Sequence, residues 1–460
     1  MIRKGGGIYS TVYRALRRFW SGGREMRQIA EELERTQWFS RQELEAWQLV
    51  RIQKLVKHAY EHVPYYHDLF QSRDIHPEDI KTLKDFRCLP FLTREDVVNH
   101  LDSLICPELR SEAQDRFTGG STGQPMHFVV DQLFRRWDLA LELRGRGWYG
   151  VAEGDKNALI WGNPQDFHAR TWRARLKARI LRERYLNAFS MTEADMRAFA
   201  EMLVRWQPDM FRAYASALSL FAEFIRRQGI EGVRPKLVEL TAEKVLPSQR
   251  QLLEEVFQCK VADWYSSREL GTIAFQCPEG GLHVCETRLL EIIADGRVVE
   301  PGQLGEVVVT SLHQYTMPFI RYKLNDVAAY APPHGACTCG RGLPVLQEVA
   351  GKTVDYVVTA DGRFVHGTYF DSILSGKPEI ARYQVYQPDE QHLEVRLVRR
   401  QEVNRAWLES LRHELQSLLG TAIDISFRLM DSIPLTSAGK HRLVISDVSR
   451  QGDGYVIFDR

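Results

Sequence analysis

FTGGSTGQP, residues 117–125, is the stretch on which the reading of the fold turns. Its nine positions hold three glycines, three hydroxyl side chains (Thr118, Ser121 and Thr122) and a closing proline. Glycine lets backbone N–H groups close on an anion, and hydroxyls add further donors. Such a loop suits a polyphosphate. It is not a P-loop of the NTPase kind, because Gly123 is followed by Gln124 and Pro125 where that motif needs lysine and a hydroxyl residue. A lysine does occur far downstream, in PLTSAGKHR at 434–442. A phosphate loop and a distant loop lysine in one chain predict two domains closing over one nucleotide.

Working outward, the 460 residues allow more than one domain and a large core. A hydrophobic content of 44% with 26% charged residues is ordinary for a globular protein. The formal net charge of +1 gives no global attraction to nucleic acid. No uninterrupted apolar stretch is long enough to span a bilayer, and no signal-peptide core follows the basic start. Seven cysteines form an odd, sparse set that fits a reducing cytoplasm better than a disulfide framework.

The N-terminus, residues 1–38, reads as a basic amphipathic extension. Between Met1 and Met26, Arg3, Lys4, Arg14, Arg17, Arg18 and Arg24 stand against the single acid Glu25, while Tyr9, Val12, Tyr13, Leu16, Phe19 and Trp20 recur at helical spacing. Two readings stay open. Either the helix docks on the body with a solvated basic face, or it lies against the anionic inner face of a membrane.

Further along, Ser40 and Glu43 form a capping box that opens an amphipathic helix carrying Leu44, Trp47, Leu55, Val56 and Ala59 and ending before Pro64. Between about residues 130 and 260, helical patterns alternate with short apolar runs such as ALIW at 158–161, which predicts an α/β core. From 282 to 330 the text changes to strands, LLEIIA, GEVVVT and RYKLNDVAAY, punctuated by Asp295-Gly296 and Pro301-Gly302. The pattern restarts near Gly351. Strands at 356–359, 393–398 and 423–429 surround a helix at 407–419, a compact α+β unit. The expected architecture is α/β: a large N-terminal domain over 39–350 with a β-rich subdomain, and a small mobile C-terminal α+β domain over 351–460.

Several further segments fall in order with the glycine loop. They are Thr241-Ala242-Glu243 after an apolar strand, DWYSSRELG at 263–271, MPFIRYKLNDV at 317–327, GKTVD at 351–355 and PLTSAGKHR. In that order they resemble the adenylate-forming superfamily of acyl- and aryl-CoA synthetases and adenylation domains. The branch resembled is that of the phenylacetate–CoA ligases and CapK-type capsular-polysaccharide proteins, whose "hA…vPyY" segment is similar to VKHAYEHVPYYHDLF at 56–70. The likeness runs from about residue 40 to 445.

The resemblance implies roles at matching positions. Thr118, Gly119, Gly120, Ser121, Thr122 and Gly123 would hold the ATP phosphates. Ala242 and Glu243 would border the adenine, Tyr265 would stack near the nucleotide, and Glu269 would help hold Mg²⁺. Asp326 would accept hydrogen bonds from the ribose hydroxyls. The hinge would lie in 351–355 with Lys352 as its charged residue, and Lys440 would be the mobile catalytic lysine. The physical chemistry agrees. A carboxylate attacking an α-phosphate brings two anions together, so cations must neutralise the developing charge in a site closed to water. Three positions depart from the family pattern: Gln124 replaces a frequent lysine, Ser266 a glycine, and Lys352 an arginine, which keeps charge but loses the planar fork.

A second constellation is metal-like. Cys277 and His283 sit in CPEGGLH, and Cys337 and Cys339 in CTCGR. Three thiols and an imidazole match a closed structural Zn²⁺ site, with Cys285 as a competing ligand. The alternative is a set of buried thiols beside a surface histidine.

The expected function is ATP-dependent activation of an aryl or acyl carboxylic acid, with AMP as a product and coenzyme A as acceptor. A second reading passes the acyl group to an amine or hydroxyl on a sugar or peptide. A third keeps nucleotide binding without chemistry. The acid pocket is expected around residues 213–218, Trp264-Tyr265 and Trp161-Gly162.

Overall fold

The computed structural model describes residues 23–118, 126–161, 176, 178–188, 192–332, 337–352, 356–358, 364–366, 370, 373–374, 377–420, 422–433 and 443–448. The basic stretch 1–22, Gly119 to Pro125 of the glycine loop, and the 434–442 loop with Lys440 lie outside them.

Twenty strands are defined among these residues. A short hairpin comes first, β1 (Gln114–Phe117) and β2 (His127–Val130). The parallel set follows: β3 (Asn157–Trp161), β4 (Glu183–Asn187), β5 (Met210–Tyr214), β6 (Leu237–Thr241) and β7 (Lys260–Ser267). Next come β8 (Gly271–Gln276), β9 (Leu282–Val284), β10 (Arg288–Ala294), β11 (Arg297–Val298), β12 (Gly305–Ser311), β13 (Tyr322–Tyr330) and β14 (Val345–Lys352). The C-terminal part holds β15 (Tyr356–Val358), β16 (Phe364–His366), β17 (Ile380–Gln387), β18 (His392–Arg399), β19 (Asp424–Met430) and β20 (Val444–Ser446).

One sheet of twelve strands organises the larger part, in the order β11-β10-β12-β13-β14-β9-β8-β7-β6-β5-β3-β4. β3 to β7 pair in parallel, as short apolar runs separated by helices require. β7 pairs antiparallel with β8 on its other side. The β-rich text after residue 271 is therefore the antiparallel half of the same sheet. The sequence presents the two halves as different patterns because parallel strands need helical crossovers and antiparallel ones need only turns.

Helices cover both faces of the parallel half. On one side Glu193–Trp206, Ala215–Arg227 and Pro247–Phe257 pack against a core that includes Phe199, Phe211, Phe221, Leu240 and Phe257. On the other lies Gln132–Gly147, capped by Asp131, whose carboxylate accepts from Phe134 N at 2.7 Å. The expected helix after Ser40 runs Arg41–His62 with its capping box formed. It buries Leu44, Trp47, Leu55, Val56 and Ala59 and stops at Val63, ahead of Pro64. No described helix is long and apolar enough to cross a membrane.

Helix Gly23–Thr36 falls inside the stretch read as an N-terminal extension, yet it is packed into the body. Ile29 and Leu33 are buried with Trp137, Leu141 and Cys285. Arg144 donates to Leu33 O at 3.1 Å and forms a bidentate pair with Glu286, which also accepts from the Thr36 hydroxyl. The docked and the membrane readings both concerned the helix carrying Tyr9 to Trp20, which lies outside the described residues.

The C-terminal part has a four-stranded sheet, β19-β18-β17-β20, and its own core. Helix Arg405–Leu419, capped by Asn404, contributes Leu411, Leu415 and Leu419 to it.

Between helix Gln132–Gly147 and the parallel strands lies a buried ionic lattice. Glu239 of β6 accepts from Arg146 at 2.7 and 3.0 Å and from Arg212 at 2.6 Å. Glu142 accepts from the same two arginines at 2.9 and 2.7 Å. Burial alone raises a carboxyl, but the two guanidinium groups overcome it and hold Glu239 at about 2, against an ordinary 4.5. A carboxylate held low contributes stability in full above its unfolded value, and loses it as pH falls from about 4.5 through about 2. Removing one member of such a buried set leaves uncompensated charge and costs about 3–5 kcal/mol. Glu239→Gln is expected to lower the thermal midpoint at neutral pH, with the gap to the parent protein narrowing as pH drops through that window. A gap that stays constant with pH in acid melting curves shows that the lattice is not what the substitution breaks.

Candidate functional site

The carboxyl ends of parallel strands, where a sheet changes direction, are where open α/β folds bind ligands. Here β3, β5, β6 and β7 end together. Trp161 closes β3 and stacks on Tyr214 at the end of β5, ring centroids 4.6 Å apart. β6 ends at Thr241, whose hydroxyl lies 3.2 Å from that of Ser266 on β7. Ala242 follows at φ +66°, a left-handed conformation that disfavours a Cβ by about 1–2 kcal/mol. Strain of this kind concentrates at binding sites. Glu243 comes directly after it, half-buried.

Tyr265 reaches across the sheet and donates to Asp326 Oδ2 at 2.8 Å. Burial, and then the neighbouring carboxylate, push the Tyr265 phenol well above its ordinary value, so it stays a donor. Asp326 is placed by an irregularity in β13. Asn325 takes φ +59°, and the register with β12 jumps from Val308–Lys323 to Glu306–Val327. On its other side Asp326 pairs in register with Lys352, the last residue of β14. The expected hinge therefore leaves the large sheet opposite Asp326. The Lys352 side chain is outside the description.

Glu269 sits in the turn between β7 and β8, 7% exposed. Its carboxylate lies near Tyr322, whose phenol is pushed up first by burial and then by the Glu269 charge. The Tyr322 hydroxyl also contacts Met126 Sδ at 3.8 Å. Met126 and Thr118 are the two ends of the glycine loop. Thr118 N donates to Met126 O at 2.9 Å, and Met126 N donates to the Thr118 hydroxyl at 2.8 Å. Arg268 adds a bond to Phe117 O at 3.0 Å. The β1–β2 stem thus delivers the loop to the Glu269 turn. Of the predicted phosphate-loop residues only Thr118 is described; Gly119, Gly120, Ser121, Thr122 and Gly123 lie beyond it, as does Lys440.

Trp264 departs from its expected place. Neighbours on a strand face opposite ways, so Trp264 turns to the layer that Tyr265 avoids. There it packs with Val151, Met210 and Phe275, under the Arg212 guanidinium at 4.1 Å, and donates to Thr272 Oγ1 at 3.2 Å. It belongs to the core and not to an acid pocket. Conversely, Tyr322, Met126 and Arg268 enter the site without having been singled out. Tyr322 was within reach, since it lies four residues before Asp326 in the same quoted segment.

The four metal-like residues converge. The ligand atoms of Cys277, His283, Cys337 and Cys339 all lie within 4.8 Å of one another. Cys277 Sγ is 3.4 Å from Cys337 Sγ, and Cys339 Sγ is 3.2 Å from His283 Nε2. His283 Nδ1 lies 3.3 Å from Leu343 O, which fixes the ring with Nε2 turned inward. Burial pushes His283 down to about 4, keeping the imidazole neutral, its ligating form. A side chain on Gly281 would strike Cys337 Sγ at 2.7 Å. Cys285 is not a member: its thiol packs with Ile29, Leu33 and Trp137.

Known proteins resemble this chain along most of its length. The sequence profile of the CapK C-terminal domain matches residues 357–447. The phenylacetate–coenzyme A ligase of Aromatoleum evansii is 24% identical over 90% of this chain and 97% of its own length. Protein CapK of Staphylococcus aureus is 21% identical over 86% of this chain and 88% of its own. Among solved structures, 2-hydroxyisobutyryl-CoA ligase in its postadenylation state superposes with a TM-score of 0.73 at 22% identity, covering 90% of this chain and 92% of that one. The chain thus has the fold of an acyl-CoA ligase of known structure, and its sequence is similar along most of its length to phenylacetate–CoA ligases and to CapK.

Proposed function

We propose that this protein activates a carboxylic acid with ATP and transfers the acyl group to coenzyme A. The observation that carries the reading is the meeting of Tyr265–Asp326, Glu269–Tyr322 and the glycine-loop stem at the carboxyl ends of the parallel strands. The phenylacetate–coenzyme A ligases among its relatives support the same chemistry. In the first step a carboxylate oxygen attacks the α-phosphorus, the bond to the β-phosphate breaks, and pyrophosphate leaves. In the second the thiol sulfur attacks the acyl carbon, loses its proton, and AMP leaves.

The roles follow from position. The loop 117–125 wraps the phosphates, Ala242 and Glu243 border the base, and Tyr265 flanks the nucleotide. Asp326 accepts from the ribose, a task that suits a carboxylate with two acceptor oxygens. Glu269 would hold Mg²⁺, which would supply positive charge against the phosphates. Trp161 and Tyr214 line the acid pocket. The small domain from residue 351 rotates about 351–355, bringing Lys440 in for adenylation and withdrawing it for transfer.

A second reading, favoured by the CapK C-terminal match, replaces the thiol with an amine or hydroxyl on a glycan or peptide. Trapping acyl-adenylates as hydroxamates across a carboxylic-acid library, then following CoA consumption against amide or ester formation, separates the two. Absence of hydroxamate with every acid sinks both.

The cysteine–histidine cluster holds structural Zn²⁺. The donor set and mutual distances fit a closed tetrahedral site, and the cluster ties the β8–β9 turn to the segment ahead of β14.

Three outcomes are expected. Lys440→Ala lowers acid-dependent ATP–pyrophosphate exchange by about 10²–10³ while ATP still binds; exchange within a factor of about three of the parent removes the lysine from the reaction. Asp326→Asn weakens ATP binding by about 1.5–3 kcal/mol, roughly tenfold or more, in a calorimetric titration. Protein purified without chelators carries one zinc per chain by elemental analysis. Cys337→Ser loses the metal and melts several degrees lower, and a metal-free parent of unchanged melting point removes the zinc assignment.

A further inference from the structure

Arg288 is the largest fully buried side chain among the described residues. It has no close carboxylate: Asp138 is 4.0 Å away, and the guanidinium lies 5.3 Å from the Phe134 ring centroid. Burial pulls its pKa down, with Asp138 only partly restoring it. An arginine placed so is a poor stabiliser, because desolvation of the charge is not offset by a tight ion pair. What it does make is a bond from Nε to Leu270 O at 2.7 Å, with Nη1 anchored on Thr287 O and Oγ1 at 3.2 and 3.1 Å.

Leu270 directly follows Glu269. The carbonyl of Glu269 is held in turn by Gln314 Nε2 at 3.3 Å, and Gln314 is fully buried. A third fastening comes from Asp138, which accepts from Thr272 N at 2.6 Å. That contact demands glycine at 271, where φ is +65° and a Cβ would meet Asp138 Oδ1 at 2.3 Å. Every backbone group tethered here belongs to residues 269–272, and the tethers come from β10, from the segment after β12 and from helix Gln132–Gly147.

We infer that Arg288 and Gln314 are positioning residues that set the Glu269 carboxylate for the metal of bound nucleotide, acting through the carbonyls of Leu270 and Glu269. The inference rests on the proposed role of Glu269. Both side chains are fully buried behind the turn, so on this reading they act on the nucleotide only through Glu269 and its metal. Groups that orient a ligating carboxylate change metal affinity by about 10–100-fold when removed.

The test compares ATP affinity with and without Mg²⁺, by calorimetry on full-length protein in buffer freed of divalent ions by chelating resin before the protein is added. In the parent protein Mg²⁺ tightens ATP binding. Arg288→Met is expected to reduce that tightening about tenfold, and Gln314→Met to reduce it in the same direction by less, with metal-free ATP affinity within about twofold of the parent. Arg288→Lys, which keeps one donor, restores part of it. Equal loss of both affinities makes the two residues merely structural and overturns the inference, as does retention of the full Mg²⁺ effect in both methionine variants. Should Arg288→Met fail to fold, the Gln314→Met titration decides alone. A parent protein that binds ATP with no Mg²⁺ dependence removes the metal role of Glu269 and the inference with it; one that binds no ATP at all removes the whole functional reading.

Discussion

Strand β7 carries a double obligation. It pairs parallel with β6 on one edge and antiparallel with β8 on the other, so its carboxyl end lies where the sheet changes character. Everything gathered at the candidate site hangs from that end. Ser266 meets Thr241, Tyr265 meets Asp326, and the turn beyond carries Glu269 toward Tyr322 and the glycine-loop stem. A one-residue slip in β7 would send Tyr265 to the layer where Trp264 packs beneath Arg212, and none of these meetings would occur.

That register is defended by charge as well as by packing. Glu239 sits on β6 between Arg146 and Arg212, facing the same layer as Trp264. Shifting β6 by one residue would place the carboxylate in the apolar layer formed by Phe211, Phe221 and Phe257. Ion pairs of this depth add little net stability over an apolar replacement, yet they penalise the wrong register severely. The antiparallel half is defended differently: Arg321, at φ +50°, donates to Glu291 at 3.0 and 3.1 Å and to the carbonyls of Arg87 and Leu89. That ties the β13 end to the helical N-terminal region.

Much of the fold was legible. The capping box at Ser40, the Asp295-Gly296 turn and the apolar runs that became β3, β10 and β12 are local signals, and local physics set them. The site was legible only through the order of its motifs, because Tyr265, Glu269 and Asp326 meet by register across strands distant in sequence. Trp264 was misplaced for the same reason: a dipeptide in a strand faces two ways, and text alone does not say which neighbour is inside. Arg288 gave no signal at all. An arginine in an apolar strand reads as an edge or a solvent face, and only the buried Leu270 carbonyl explains it. The cysteine–histidine set was readable by residue type, whereas excluding Cys285 needed the position of helix Gly23–Thr36.

That helix has a practical consequence. Gln37, just past its end, accepts from the indole of Trp148 and from Arg341, and its carbonyl accepts from Gly342 N. Gly342 in turn has no room for any side chain, since a Cβ would overlap Phe39 O at 1.8 Å. Residues 37–39, at the end of helix Gly23–Thr36, are thus wedged beside the segment bearing Cys337 and Cys339. Trimming the protein to residue 39 for production, or grafting a different leader there, would strip the lid from Cys285 and Trp137 and leave the buried Arg144–Glu286 pair open to water.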